Sequence, residues 1–159
     1  MAKTAKRKAA SGDVASNRRA AHRYHLLDRL ECGMALQGSE VKSLREGRVQ
    51  LMDAYASLSD GELWLHNVHI PAYAPASREN HEPERPRKLL AHRRELERLA
   101  AKVNERGFTL VPTRMYFSGG RAKVEVALAR GKDAYDKRQS LKAKDQQREI
   151  QRALRDVGR

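Results

Sequence analysis

FTLVPTRMYFSGGRAKVEVALA, residues 108–129, spells out a β-hairpin. In its second half Val124, Val126 and Leu128 fall on one side of an extended chain, and Lys123 and Glu125 on the other, the period-two pattern of a half-buried strand. Its first half is rich in β-branched and aromatic residues, as strands are. Between the halves, Ser118, Gly119 and Gly120 supply the positive φ that a tight turn needs. The same grammar recurs upstream, where Asp60-Gly61 separates MDAYASLS (residues 52–59) from ELWLHNV (residues 62–68) and predicts a second hairpin. Residues 24–35 form a weaker strand candidate, because charged residues and Gly33 interrupt the alternation.

Two helices are expected among these strands. Ser39 is placed to cap a short one whose Val41 and Leu44 face inward, and Gly47 ends it, since glycine accepts the left-handed conformation just past a helix. Leu96, Leu99, Ala100 and Val103 repeat at helical spacing in the second, over residues 92–106, with Gly107 as its stop. Hairpins with a helix inserted before the last pair predict a mainly β fold with peripheral helices: a small closed antiparallel barrel, of which the oligonucleotide-binding type is one form. Residues 71–88 hold Pro71, Pro75, Pro83 and Pro86, too many for a central strand, so an exposed loop is expected. Arg78, Arg85, Arg87 and Lys88 make that loop basic.

The chain divides into a basic flexible arm (residues 1–16), a barrel body (17–130) and a charged tail (131–159). Its 159 residues suit one domain. With 33 Lys and Arg against 20 Asp and Glu, the net charge is +13. Such an excess of cations is the electrostatic footprint of a polyanion binder, and nucleic acid leads the candidates. Nothing approaches the roughly 20 apolar residues of a membrane span. The basic start, with Lys3, Lys6, Arg7 and Lys8, lacks the apolar run of a secretion signal. The lone cysteine, Cys32, has no second thiol to pair with, which fits a reducing compartment, and a cytoplasmic location is expected.

Catalytic chemistry has little support. The closest histidine pairs, His22 with His25 and His66 with His69, lack further ligands at metal-binding spacing. No nucleophile elbow, phosphate-cradling glycine loop or HExxH motif is present. Cys32, in ECGMAL, reads as a buried inert thiol. No cofactor and no enzymatic activity are expected. Glu31 is an acid beside a glycine on a strongly basic protein: on residue type it reads as a solvated carboxylate, yet it can accept hydrogen bonds from base amino groups or ribose hydroxyls. Lys123 faces outward by the alternation and suits a phosphate. The tail is charge-dense and poor in apolar residues, hence largely disordered when free. Ile150, Leu154 and Val157 at i, i+4, i+7 allow a weak amphipathic helix once a partner supplies counter-charges.

The same residues lie in the motifs of a known family. ALQGSEVKSLREG (residues 35–47) followed by LMDAYASLSDGELWL (51–65), then NHEPERPRKLLAHRREL (80–96) and KVEVALARGKDAYDKRQSLKAKD (123–145), resembles the SsrA-binding proteins in order and spacing. The resemblance implies an oligonucleotide-binding barrel that binds the tRNA-like domain of transfer-messenger RNA. It implies delivery of that RNA, with elongation factor Tu reached through the RNA, to ribosomes stalled without a codon, so that an incomplete product is tagged for degradation. Glu31, Leu90 and Lys123 match positions that the family uses for RNA, although on residue type alone Leu90 reads as core. Asn17, Arg19, Lys42, Arg87 and Lys88 complete the candidate RNA-binding set. Gly131, Lys132, Tyr135, Asp136, Lys137 and Arg138 match the family's tail segment for the decoding centre of the small ribosomal subunit. Tyr135 stands where many members have histidine, and either ring can stack on a base. A structural ribosomal protein with basic tails explains the charge and the barrel equally well, and an RNA-modifying enzyme is a third possibility that the missing catalytic constellation disfavours.

Overall fold

The structure, a computed structural model, describes residues 12–105, 107–132 and 134–158 and, within these, the side chains of all but Ser77 and residues 134–137. Its strands are β1 (Asp13–Ser16), β2 (Tyr24–Met34), β3 (Tyr55–Ser59), β4 (Glu62–His66), β5 (Arg87–Leu90), β6 (Phe108–Ser118) and β7 (Arg121–Gly131). Among the described residues four α-helices accompany them: α1 (Arg18–Arg23), α2 (Gly38–Arg45), α3 (Arg93–Val103) and, after the last strand, α4 (Ala134–Val157).

β6 and β7 form the hairpin read from residues 108–129, with Ser118 opposite Arg121 and with Gly119 and Gly120 at φ of 56° and 74°. β3 and β4 form the second, turning through Asp60 and Gly61 at φ of 51° and 75°. Positive φ at both central residues matches the turn to the right-handed twist of its strands. The sheet runs β6-β3-β4-β5-β2-β7, every pairing antiparallel, and closes because β7 returns to β6. β1 adds a seventh strand along β6, taking four residues that the sequence reading placed in the arm. Val14 and Ala15 pack against the core there. Pro112 sits inside β6, where the register with β7 shifts between Pro112 and Arg114, a bulge that tolerates the missing N–H.

Alternation fills the barrel. Leu63, Leu65, Leu110, Met115, Val124 and Val126 are fully buried inside it. Leu99 of α3 is buried in the same cluster, with Leu96 and Val103 packed against it. The opposite parity of the β6–β7 hairpin is covered in part by α1, whose Ala20 meets Val111 and Ala129.

The sequence expectations need two corrections. First, α2 begins after Gln37, not at a Ser39 cap: Gln37 N–H donates to Glu40 Oε2 at 2.8 Å, while Ser39 is buried and its Oγ lies 2.9 Å from His81 Nδ1. The expected end holds, with Gly47 at φ 73° and its N–H donating to Leu44 O. Second, residues 71–88 are not simply an exposed basic loop. They include a 3-10 helix (Ala74–Glu79) and run into β5, and Arg87 points into the interior with no exposed surface. Arg87 Nε donates to Glu40 Oε1 at 2.9 Å, and its terminal nitrogens donate to Val68 O and Pro83 O. Arg85 grips both oxygens of the same carboxylate, at 2.8 and 2.7 Å. His81 Nε2–H donates to Ile70 O, and Ser43 Oγ–H to Pro71 O, so the loop is tied to α2 along its length. Among the described residues no buried side-chain polar atom lacks a hydrogen-bond partner.

Candidate nucleic-acid interface

β2 lies between β5 and β7, and near its end Gly33 faces Leu90 on one neighbour and Lys123 on the other. Residues directly opposite in an antiparallel pair share a face, and residues two apart on one strand do too. Glu31, Gly33, Leu90 and Lys123 therefore all look outward, while Cys32 between them looks in and is fully buried. Burial pushes the Cys32 thiol up to about 12, so it stays protonated and inert, as the sequence reading expected.

The start of α3 raises one wall over this surface and leaves a groove of about 580 Å³ lined by Arg29, Glu31, Leu90, His92, Glu95 and Lys123. A second hollow of about 370 Å³ continues it past Leu90 and Lys123 toward Val41 and Arg121. Gly33 is the floor of both, and a Cβ added there would already touch Leu90 Cβ at 3.4 Å, so any longer side chain would fill the groove. Leu90 is 53% exposed, which removes it from the core to which residue type alone assigns it. β5 alternates Arg87 in, Lys88 out, Leu89 in, Leu90 out.

Charge within the groove is paired but not cancelled. Lys123 Nζ lies 3.9 Å from Glu31 Oε1, and the Tyr116 hydroxyl donates to Glu31 Oε2. Glu31 also stands opposite Glu125 of β7, a like-charge neighbour that would repel it if unbalanced. Glu125 is balanced: Thr113, Arg114 and Arg29 donate to it at 2.7, 3.2 and 3.0 Å. Burial alone would raise the Glu125 carboxyl, but these bonds outweigh it and hold the pKa below the ordinary value. Two carboxylates (Glu31 and Glu95), two cations (Arg29 and Lys123) and a half-exposed leucine around an open floor are suited to a ribose-phosphate chain with an unstacked base.

Other expected site residues lie elsewhere. Asn17 accepts from Ala20 N–H as the cap of α1, and its amide donates to Leu51 O and Pro112 O, so its side chain holds the fold. Arg19 is exposed beside a separate hollow of about 350 Å³ that also holds Tyr24, Met52 and Tyr55. Lys42 is on the exposed face of α2, 5.5 Å from the centre of the Tyr73 ring. Lys88 faces outward and pairs with Glu62 at 2.8 Å. Arg87 lies inside the barrel, and a buried guanidinium meets no phosphate. In the tail, Gly131 ends β7 opposite Tyr24, and Lys132 reaches back to α1, donating through its N–H to Arg23 O and through Nζ to Ala21 O. Arg138 is exposed on α4; the side chains of Tyr135, Asp136 and Lys137 lie outside the described residues. Sequence reasoning missed Arg29, His92 and Tyr116 beside the groove. Tyr116 alone was legible, since it alternates outward from the buried Met115.

Among the described residues no His, Cys, Asp or Glu group could hold a metal ion, and no helix is long and apolar enough to cross a membrane. A closed antiparallel barrel with a mixed cation and carboxylate groove on its outer face has the architecture of an oligonucleotide-binding barrel. The SmpB protein family matches residues 14–156, and this chain belongs to it. The SsrA-binding protein of Acidothermus cellulolyticus is 60% identical over 141 residues, covering 89% of each chain. That of Carboxydothermus hydrogenoformans is 54% identical over 142 residues, covering 89% of this chain and 95% of its own. A solved structure described as "tmRNA-SmpB: a journey to the center of the bacterial ribosome" superposes with a TM-score of 0.64 at 50% identity, covering 76% of this chain and 85% of that one.

Proposed function

We propose that this chain binds the tRNA-like domain of transfer-messenger RNA and delivers it to stalled ribosomes for trans-translation, acting in the cytoplasm as a binding protein and not as an enzyme. The observation that carries this reading is the convergence of Glu31, Leu90 and Lys123, from three different strands, on one groove. Family membership supports it, as do the names of the relatives. Glu31 accepts hydrogen bonds from the RNA, Lys123 meets a phosphate, and Leu90 packs on a base or ribose. The tail, residues 131–159, engages the small subunit through its decoding centre and the vacant messenger channel. Elongation factor Tu is reached through the RNA.

The test measures affinity for the tRNA-like RNA across a salt series. Each neutralised phosphate steepens the dependence on salt by roughly 0.7 to 0.9 logarithmic units. Glu31→Ala is expected to weaken binding while keeping the slope and the melting temperature. Lys123→Ala should weaken binding and flatten the slope by about one contact. Unchanged affinity in both variants would return the groove to an ordinary solvated surface.

A further inference from the structure

Tyr116 lies on β6, directly opposite Lys123 and one strand removed from β2. Its hydroxyl nevertheless reaches across β7 to donate to Glu31 Oε2. Its ring is held as well, because the Arg114 guanidinium sits over it, 4.5 Å from the ring centre. Arg114 is fixed in turn by Asp13 and Glu125, each at 3.2 Å. The chain Asp13–Arg114–Tyr116–Glu31 thus runs along the outer face and ends at the groove.

A glutamate on an open strand has three free torsions, and a lysine beside it is the nearest charge it could collapse onto. Here it does not collapse: the 3.9 Å separation from Lys123 Nζ is longer than a contact hydrogen bond, so both charges stay open to a ligand. One carboxylate oxygen is engaged by Tyr116, and the other is left toward Lys123 and the groove. We propose that Tyr116 is a positioning residue for RNA binding: it holds Glu31 in the rotamer that presents one carboxylate oxygen to the RNA, without itself touching the RNA. Burial first, and the bond to Glu31 second, push the phenol up to about 12, so it remains a donor throughout the physiological range. The inference rests on the reading of Glu31 as an RNA contact.

The test is a double-mutant cycle in the full chain. Tyr116→Phe keeps the ring over Arg114 and removes only the hydroxyl. Affinity for the tRNA-like domain transcribed in vitro is expected to fall about 3- to 10-fold, the size of one net hydrogen bond, with the salt slope unchanged. In a Glu31→Ala background the same substitution should cost nothing further. A separate readout is the ultraviolet titration of the tyrosine that Tyr116→Phe removes from the spectrum. Glu31→Ala should lower its midpoint from about 12 while leaving the part of the rise that burial causes. Equal losses in both backgrounds would overturn the proposal by making Tyr116 an RNA contact in its own right. An effect of Glu31→Ala with none of Tyr116→Phe would overturn it while leaving the groove reading intact. Glu31→Ala without effect would overturn both.

Discussion

Arg87 and Glu40 show how one residue's meaning depends on where its strand turns it. A proline-flanked arginine reads as an exposed cation, yet β5 places it opposite the buried Leu65, and its charge is balanced inside by Glu40. Breaking such a pair strands the remaining charge, at a cost of about 3 to 5 kcal/mol. Glu40→Gln should therefore lower the urea midpoint sharply. It leaves Arg85 and Arg87 facing a neutral group and weakens one of the ties between residues 71–88 and α2, while the Ser39–His81 and Ser43–Pro71 bonds remain. The pH dependence carries a sign. Burial would raise the Glu40 carboxyl, but bonds from Arg85, the Gln37 N–H and Arg87 prevail, and its folded pKa lies below the ordinary 4.5. The unfolded chain thus binds the proton more readily, so the stabilisation is complete above about 4.5 and is lost as pH falls through the folded value. Unfolding curves of the parent and of Glu40→Gln should converge in acid and stay apart at neutral pH. A constant gap would show that the carboxylate's charge is not what matters.

Among the elements, α4 contrasts with α3. Leu99 of α3 is buried under the barrel, whereas Leu141, Ile150, Leu154 and Val157 of α4 are all exposed. The helix is therefore held by its own backbone and by contacts at its start, where Lys132 Nζ also donates to Ser140 Oγ. An apolar stripe left open on a helix that contributes little to folding suits a segment whose partner lies outside the chain. Ile150→Pro removes a backbone donor mid-helix and costs about 3 kcal/mol there. It should leave affinity for the tRNA-like RNA and the melting temperature of the barrel unchanged while reducing tagging of products from messages without a stop codon. Full tagging by this variant would mean that the tail acts without helical structure.

For the molecule as a whole, the body and the tail should be separable. The core lies in the barrel, and Lys132, bonded to α1, marks where the tail leaves it. A chain ending after Lys132 should melt cooperatively and bind the RNA, yet fail to support tagging on stalled ribosomes. Replacing Asp136, Lys137 and Arg138 together by Ala should reproduce that failure with delivery retained, because charge-assisted contacts are what hold a projecting segment on ribosomal RNA. Tagging by the shortened chain would make the tail a solubilising appendage. Loss of RNA binding would place the RNA site outside the barrel.

Local chemistry by itself determined both hairpins, two of the three helices of the body (α2 and α3, but not α1) and the buried state of Cys32, because alternation, turn glycines and helical spacing act over a few neighbouring residues. It also marked Glu31 and Lys123 as outward. A closed barrel was expected, but its strand order was decided only in three dimensions, since it depends on β7 meeting β2 as well as its hairpin partner β6, and no local pattern encodes that second pairing. The same is true of the groove: Glu31, Leu90 and Lys123 are far apart in the chain, and β2 draws them together by lying between β5 and β7. Tertiary packing also reversed two residue-level expectations, turning Leu90 out and Arg87 in. Strand parity sets which side a residue faces, but the neighbouring elements decide which side is inside, and for Arg87 a carboxylate from α2 makes the interior habitable to a charge.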